Sequence, residues 1–116
     1  MWTTNAFGVR EHYRAGGVAR LVVRGDIDHD VAPLLAAAIA GVAGRPAVTE
    51  LVIDLRAVPL LAAAGIRALL EGRTAAVRDG CGFRVVNADG LVHHVLCLTG
   101  VIDLLQVTAD APTSPP

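Results

Sequence analysis

From Val18 to Asn87 the chain alternates short β-branched runs with longer stretches of helical period, and few folds accommodate that order. Val18–Arg24, Thr49–Leu55 and Gly82–Asn87 are apolar on both faces, the pattern of strands covered by helices rather than of a sheet with one wet face. Ala6–Arg14 alternates more weakly and runs into Ala15-Gly16-Gly17, a turn signal that makes the first two runs a hairpin. Val31, Leu34, Leu35, Ala38, Ile39 and Val42 recur at three and four residues and predict one helix, with Pro33 in its first turn and Gly44-Arg45-Pro46 at its end. A second helix is expected from about Ala62 to Asp79. It carries Ile66, Leu69, Leu70, Ala76 and Val77 inward, Arg67, Glu71, Arg73 and Arg78 as its polar set, and Gly80 as the stop. A third is expected to start at Asp89 as N-cap and to bury Val92, Val95 and Leu96 before Gly100. Val101–Val107 reads as a final strand. Strand, strand, helix, strand, helix, strand, helix, strand is the order of an α/β layer fold.

At 116 residues the chain is one domain, placed at 1–108, with 109–116 expected as a disordered, Pro-rich tail. A hydrophobic content of 53% excludes a solvating, unfolded chain. All ten basic residues are arginines spread along the sequence, and the net charge of −1 gives no footprint for nucleic acid. The uncharged runs Val31–Gly44 and Ala57–Ile66 are broken by Pro and Gly and fall short of the roughly 20 apolar residues a spanning helix needs. The N-terminus lacks the charged-then-apolar order of a secretory signal. A cytoplasmic domain without membrane insertion follows as the expectation.

Few residues remain that could carry chemistry. The sole serine is Ser114, so no Ser-His-Asp hydrolase can be assembled. Cys81 and Cys97 have no activating neighbour in sequence and read as reduced, small residues in or near the core, with a redox pair as the alternative. Adjacent His93 and His94 diverge by about 100° on a helix, and with neither Cys-x-x-Cys nor His-x-x-x-His present no zinc site is expected. Asp26, Asp28 and Asp30 alternate but lack the glycine and distal glutamate of a calcium loop; Asp28 or Asp30 reads first as a helix cap, with a partner contact open alongside it. Without lysine no phosphate loop of the Walker type can exist. No metal, cofactor or enzymatic constellation emerges. What survives is the corner Pro59–Ile66, where the strongest strand meets the second helix and three alanines stand in place of a polar start.

Three landmarks around this corner resemble the STAS family, the domains shared by sulfate transporters and anti-sigma-factor antagonists. Gly25-Asp26-Ile27-Asp28-His29, followed by Ala32-Pro33-Leu34, is similar to the family's Gly-Glu-Leu-Asp turn and first helix. Leu51-Val52-Ile53-Asp54-Leu55-Arg56-Ala57-Val58 is similar to its central strand. Val92 to Val101 is similar to its last long helix and glycine turn. The resemblance spans about residues 6–108 and implies a mixed central sheet of about five strands with three to four helices. It also implies a bacterial, non-catalytic protein-interaction domain that binds an anti-sigma factor of kinase-like fold and so regulates transcription indirectly. The contact surface it implies is Asp28, His29, Leu60, Leu61, Ala62, Ala63, Ala64 and Gly65. Where the family carries Asp-Ser-Ser-Gly, with phosphorylation on the second serine, this chain has Ala62, Ala63, Ala64 and Gly65. Ala64 has no oxygen to accept a phosphoryl group, so that switch is absent at this position. The alternative is a STAS domain that holds a small ligand or docks on a transporter complex, and a homodimer is compatible with either.

Overall fold

A computed structural model describes residues 6–108, and the reading of 109–116 as a tail lies outside them. The elements follow in chain order as β1 (Gly8–Arg14), β2 (Val18–Arg24), α1 (Ala32–Ala43), β3 (Glu50–Ala57), α2 (Ala63–Arg78), β4 (Gly82–Val86), α3 (Gly90–Leu98) and β5 (Val107–Thr108). The fold is α/β, with one five-stranded mixed sheet in the order β1-β2-β3-β4-β5 and three helices. β1 and β2 form the antiparallel hairpin; every later pairing is parallel. Right-handed crossovers between strands laid down in sequential order put all three helices on one face.

Alternation then sorts the strands. Ala19, Leu21 and Val23 of β2, Leu51, Ile53 and Leu55 of β3, and Phe83 and Val85 of β4 face the helices and join their apolar stripes in one buried cluster. On the opposite face the register lines up His12, Arg20, Val52 and Arg84 across four strands. Two ion pairs flank Val52 there, Arg20–Asp54 and Arg84–Glu50, each 2.9 Å long. Asp54 is the one buried charged residue among those described, and its second carboxylate oxygen accepts the Arg56 N–H at 2.9 Å. That bond sits where β3 bulges against β2, between Val22 and Arg24.

α1 and α2 lie in close contact because Gly72 has no side chain. A Cβ built at Gly72 would come within 2.6 Å of Ile39 Cγ2. Pro33 occupies the first turn of α1 as the sequence requires. Gly80, with φ of 73°, ends α2 in the left-handed conformation that glycine adopts without penalty.

Five expectations are corrected. Leu34, expected on the buried stripe of α1, is 60% exposed, because it lies 100° round the helix from buried Leu35. Val101–Val107 is not a strand: Leu105 N–H bonds back to Val101 and Val107 N–H to Ile102, so the segment coils, drops Leu105 into the core and pairs only at Val107–Thr108. Val77 is 56% exposed, because it lies a further 100° round the helix from buried Ala76. Asp89 takes the N-cap position of α3 but makes no capping bond, since the chain enters the helix through Gly90 at a φ of 55°. Cys97 is exposed rather than core-lining, while Cys81 is buried.

Candidate functional site

Two loops that the sequence reading linked by resemblance alone are joined by backbone bonds. The segment after β2 and the segment after β3 both leave the carboxyl end of the parallel strands, where α/β sheets place their binding sites. Ile27 N–H donates to Leu60 C=O at 2.9 Å, and Ala62 N–H donates to Ile27 C=O at 2.9 Å. Ile27 and Leu61 thus form an isolated parallel bridge beyond the ends of their strands. Their side chains are buried, Leu61 at 3%, and they anchor the corner from beneath.

Gly65 makes this closeness feasible. A Cβ at that position would lie 2.5 Å from Leu61 Cδ1 and 2.7 Å from Ile27 Cγ2, so only glycine lets α2 start against the bridge. Leu61 and Gly65 therefore face inward. Leu60 and Ala63 are exposed, and Ala62 and Ala64 are half-buried. Ala62 is the N-cap of α2, with extended backbone and no side-chain capping bond.

Asp28 does not cap α1 itself. Its Oδ1 accepts the N–H groups of Asp30 and Val31 at 3.0 and 3.2 Å, while the helix begins at Ala32 with Val31 as an N-cap that makes no side-chain bond. The bond closes the lead-in turn and leaves His29 and Asp30 fully outward, with His29 Nδ1 3.7 Å from the Asp30 carboxylate.

The turn and the corner share a groove. His29 and Pro33 line one wall, Ala64, Arg67 and Glu71 the other. Arg67 and Glu71 escaped the sequence reading, which took them only as the solvated face of α2. Their spacing of three and seven residues from Ala64 was the available signal, since those offsets share a helix face. A second depression joins Arg56–Pro59 to Asp89–Leu91, so the loop after β4 borders the same end of the sheet.

The corner from Pro59 to Ile66 carries no hydroxyl, thiol or charged side chain. Among the described residues no group of three or more His, Cys, Asp or Glu side chains is placed to hold a metal ion. No helix among them is long and apolar enough to cross a membrane. Burial, followed by the Asp79 and Glu50 carboxylates, pushes the Cys81 thiol up, which keeps it a protonated core residue. What the site offers is shape: apolar alanines and Leu60 on a rigid backbone corner, rimmed by Asp28, His29, Arg67 and Glu71.

Comparison with known proteins agrees with this fold. An anti-sigma factor antagonist from Mycobacterium paratuberculosis is 28% identical, with a TM-score of 0.77 over 97% of this chain and 92% of that one. The anti-sigma factor antagonist SpoIIAA in its unphosphorylated form shares the fold at 13% identity, with a TM-score of 0.76 and 90% of both chains covered. A sulfate transporter family protein from Wolinella succinogenes also shares it, at 20% identity and a TM-score of 0.70 over 83% of this chain and 80% of that one. No match is found among curated proteins. The family model described as "Mlab, STAS domain" matches residues 12–106, and the chain belongs to the STAS domain family.

Proposed function

We propose that this chain is a non-catalytic binding domain of the anti-sigma-factor antagonist type, acting in the cytoplasm on an anti-sigma factor of kinase-like fold. Its contact surface is Asp28, His29, Leu60, Ala62, Ala63 and Ala64, with Leu61 and Gly65 as the buried support. The observation that carries this reading is the Ile27–Leu61 bridge, which locks turn and corner into one surface. The 28% identity to a mycobacterial anti-sigma factor antagonist supports the choice of partner. Binding the partner would free a sigma factor and so regulate transcription indirectly. Ala64 cannot take up a phosphoryl group, so a kinase-like partner has no means of reversing the complex at this position.

The test uses purified anti-sigma factors of kinase-like fold, titrated calorimetrically with the wild-type chain and with Ala64→Asp. An unpaired charge in a dry contact costs several kcal/mol, and even ~2.7 kcal/mol is about a hundredfold in affinity. A helix N-terminus returns only ~0.3–1 kcal/mol to an anion, so weakened binding with an unchanged or raised Tm is the expected result. Intact mass after incubation with partner and ATP should show no phosphate on residues 62–64. A second reading, docking on a transporter complex or holding a small ligand, is kept because a sulfate transporter family protein has the same fold. Full affinity in Ala64→Asp, or no binding to any such anti-sigma factor, would move that reading ahead.

A further inference from the structure

Spread along the sequence, five of the ten arginines gather on one face of the sheet. Alternation from buried Ala19, Leu21, Val23, Phe83 and Val85 puts Arg20, Arg24 and Arg84 on the face away from the helices. The β1–β2 register adds Arg10 and Arg14, opposite Val22 and Val18. Arg20 and Arg84 are ion-paired with Asp54 and Glu50. Glu11 belongs to the other face of β1, where Arg45 meets it at 2.9 Å. No carboxylate among the described residues therefore pairs with Arg10, Arg14 or Arg24.

Two of these arginines share a depression. Arg10, His12 and Arg24 line a hollow of about 320 Å³ with Gly8, Val22 and Ala57, a size at the lower end of the roughly 300–1,000 Å³ of small-molecule sites. Arg10 pairs with Val22 and Gly8 with Arg24, so the two arginines are diagonal cross-strand neighbours, ~7–8 Å apart at the backbone. Arg24 is held in place. A Cβ built at Gly8 would come 2.9 Å from Arg24 Nε and 3.1 Å from its Cζ, so the guanidinium lies along β1 where a side chain would otherwise stand. Its Nη1 donates to Ala6 C=O at 3.2 Å. The other guanidinium N–H groups keep their capacity, because the fork carries five donors. Two guanidiniums this close with no carboxylate between them repel, and an anion that accepts from both removes the repulsion.

We propose that this hollow on the helix-free face of the sheet binds a small phosphate monoester. Arg10 and Arg24 donate to the phosphate oxygens from two strands, and an imidazole N–H of His12 donates to the same group. Two guanidinium charges balance a phosphate dianion, and the forked geometry of arginine suits its tetrahedral oxygens. Val22 and Ala57 offer the apolar surface for the ester carbon. The site shares no residue with the alanine corner, so this inference stands or falls apart from the proposed partner.

The test is a titration of the isotopically labelled chain with phenyl phosphate, read by backbone amide shifts at ionic strength held constant with chloride. Amides of Gly8–His12 and Val22–Arg24 should move and saturate. Inorganic phosphate should move the same amides but bind more weakly, since it has no carbon to set on Val22. Arg10→Ala and Arg24→Ala should each raise Kd about tenfold or more, the worth of a lost charge-assisted hydrogen bond. Arg24→Lys should not restore binding, because an ammonium has no fork to reach Ala6 C=O and the phosphate together. Arg14→Ala removes the same charge ~13 Å further along β1 and should change Kd by less than about twofold. Arg10, Arg14 and Arg24 are exposed, so the variants fold, and a melting curve checks each. Shifts that fail to saturate, or a loss in Arg14→Ala equal to that in Arg10→Ala, would reduce the effect to general screening and overturn the proposal. Phosphate binding as tightly as the monoester would overturn it too.

Discussion

Replacing Gly65 by alanine tests the corner without any partner in hand. The new Cβ would stand 2.5 Å from Leu61 Cδ1 and 2.7 Å from Ile27 Cγ2, against an optimal carbon–carbon separation of about 3.5–4.0 Å. Roughly 1 Å of retreat is therefore required on each side. Ile27 cannot give it cheaply, because its β-branched side chain is stiff at χ1 and its backbone is bonded to both Leu60 and Ala62. Overpacking of this kind costs about 1–3 kcal/mol. Exchanging glycine for alanine in a helix returns at most ~1 kcal/mol. The balance is a loss of about 1.5 kcal/mol, or a fall of roughly 6 °C in Tm for a domain this size.

Gly41 is the matched control. It is exposed in the body of α1, and a Cβ there meets nothing within 4 Å. Gly41→Ala should accordingly stabilise by ~0.4–1 kcal/mol, so the two glycines give opposite signs in the same urea or thermal melt. Leu61→Ala supplies the cycle: combined with Gly65→Ala it should cost less than the sum of the two, by at least ~0.5 kcal/mol. Additive losses, or a Gly65→Ala chain that melts at or above the parent, would refute the claim that the bridge is packed against α2.

Asp54→Ala removes both the carboxylate that meets Arg20 and the acceptor of the Arg56 N–H, and should cost about 3 kcal/mol by chemical denaturation; Asp54→Asn, which keeps an acceptor, should cost less. Thiol labelling of the native chain should modify Cys97 quickly and Cys81 only on unfolding. Because burial raises the Cys81 pKa, its contribution to stability is complete below the ordinary thiol range and is lost as pH climbs through the raised value. Alkaline melts should therefore fall less steeply in Cys81→Ala.

The strands were legible because Val18–Arg24, Thr49–Leu55 and Gly82–Asn87 are β-branched and short, and the helices because their apolar positions recur at three and four. Val101–Val107 misled for a physical reason. A two-sided apolar run satisfies the core equally as a strand or as a coil that inserts Leu105, and Gln106 at a φ of 52° is a tertiary choice that no propensity announces. The alanine corner was legible as the junction of the strongest strand with the second helix, yet its division into outward Leu60 and Ala63 and inward Leu61 and Gly65 depended on a bridge between residues 34 apart in sequence.

The uncapped start of α2 shows what the corner gives up. Ala62 has the backbone of an N-cap, with φ of −81° and ψ of 169°, and its carbonyl already accepts the Gly65 and Ile66 N–H groups. Only a side-chain oxygen is lacking to take one of the first-turn N–H groups. Ala62 is half-buried, so a hydroxyl fits there without entering the core. Ala62→Ser should thus stabilise the free domain by about 1 kcal/mol, the usual worth of such a cap, and raise Tm by roughly 4 °C. If the three alanines form a dry contact, the same hydroxyl must lose water there, and affinity for the anti-sigma factor should fall while stability rises. Such opposed signs are the mark of a surface kept below its stability optimum for binding. A Tm that fails to rise would show that the corner's backbone is not open to capping. A rise with unchanged affinity would remove Ala62 from the contact and confine it to Leu60, Ala63, Ala64 and the Asp28–His29 turn.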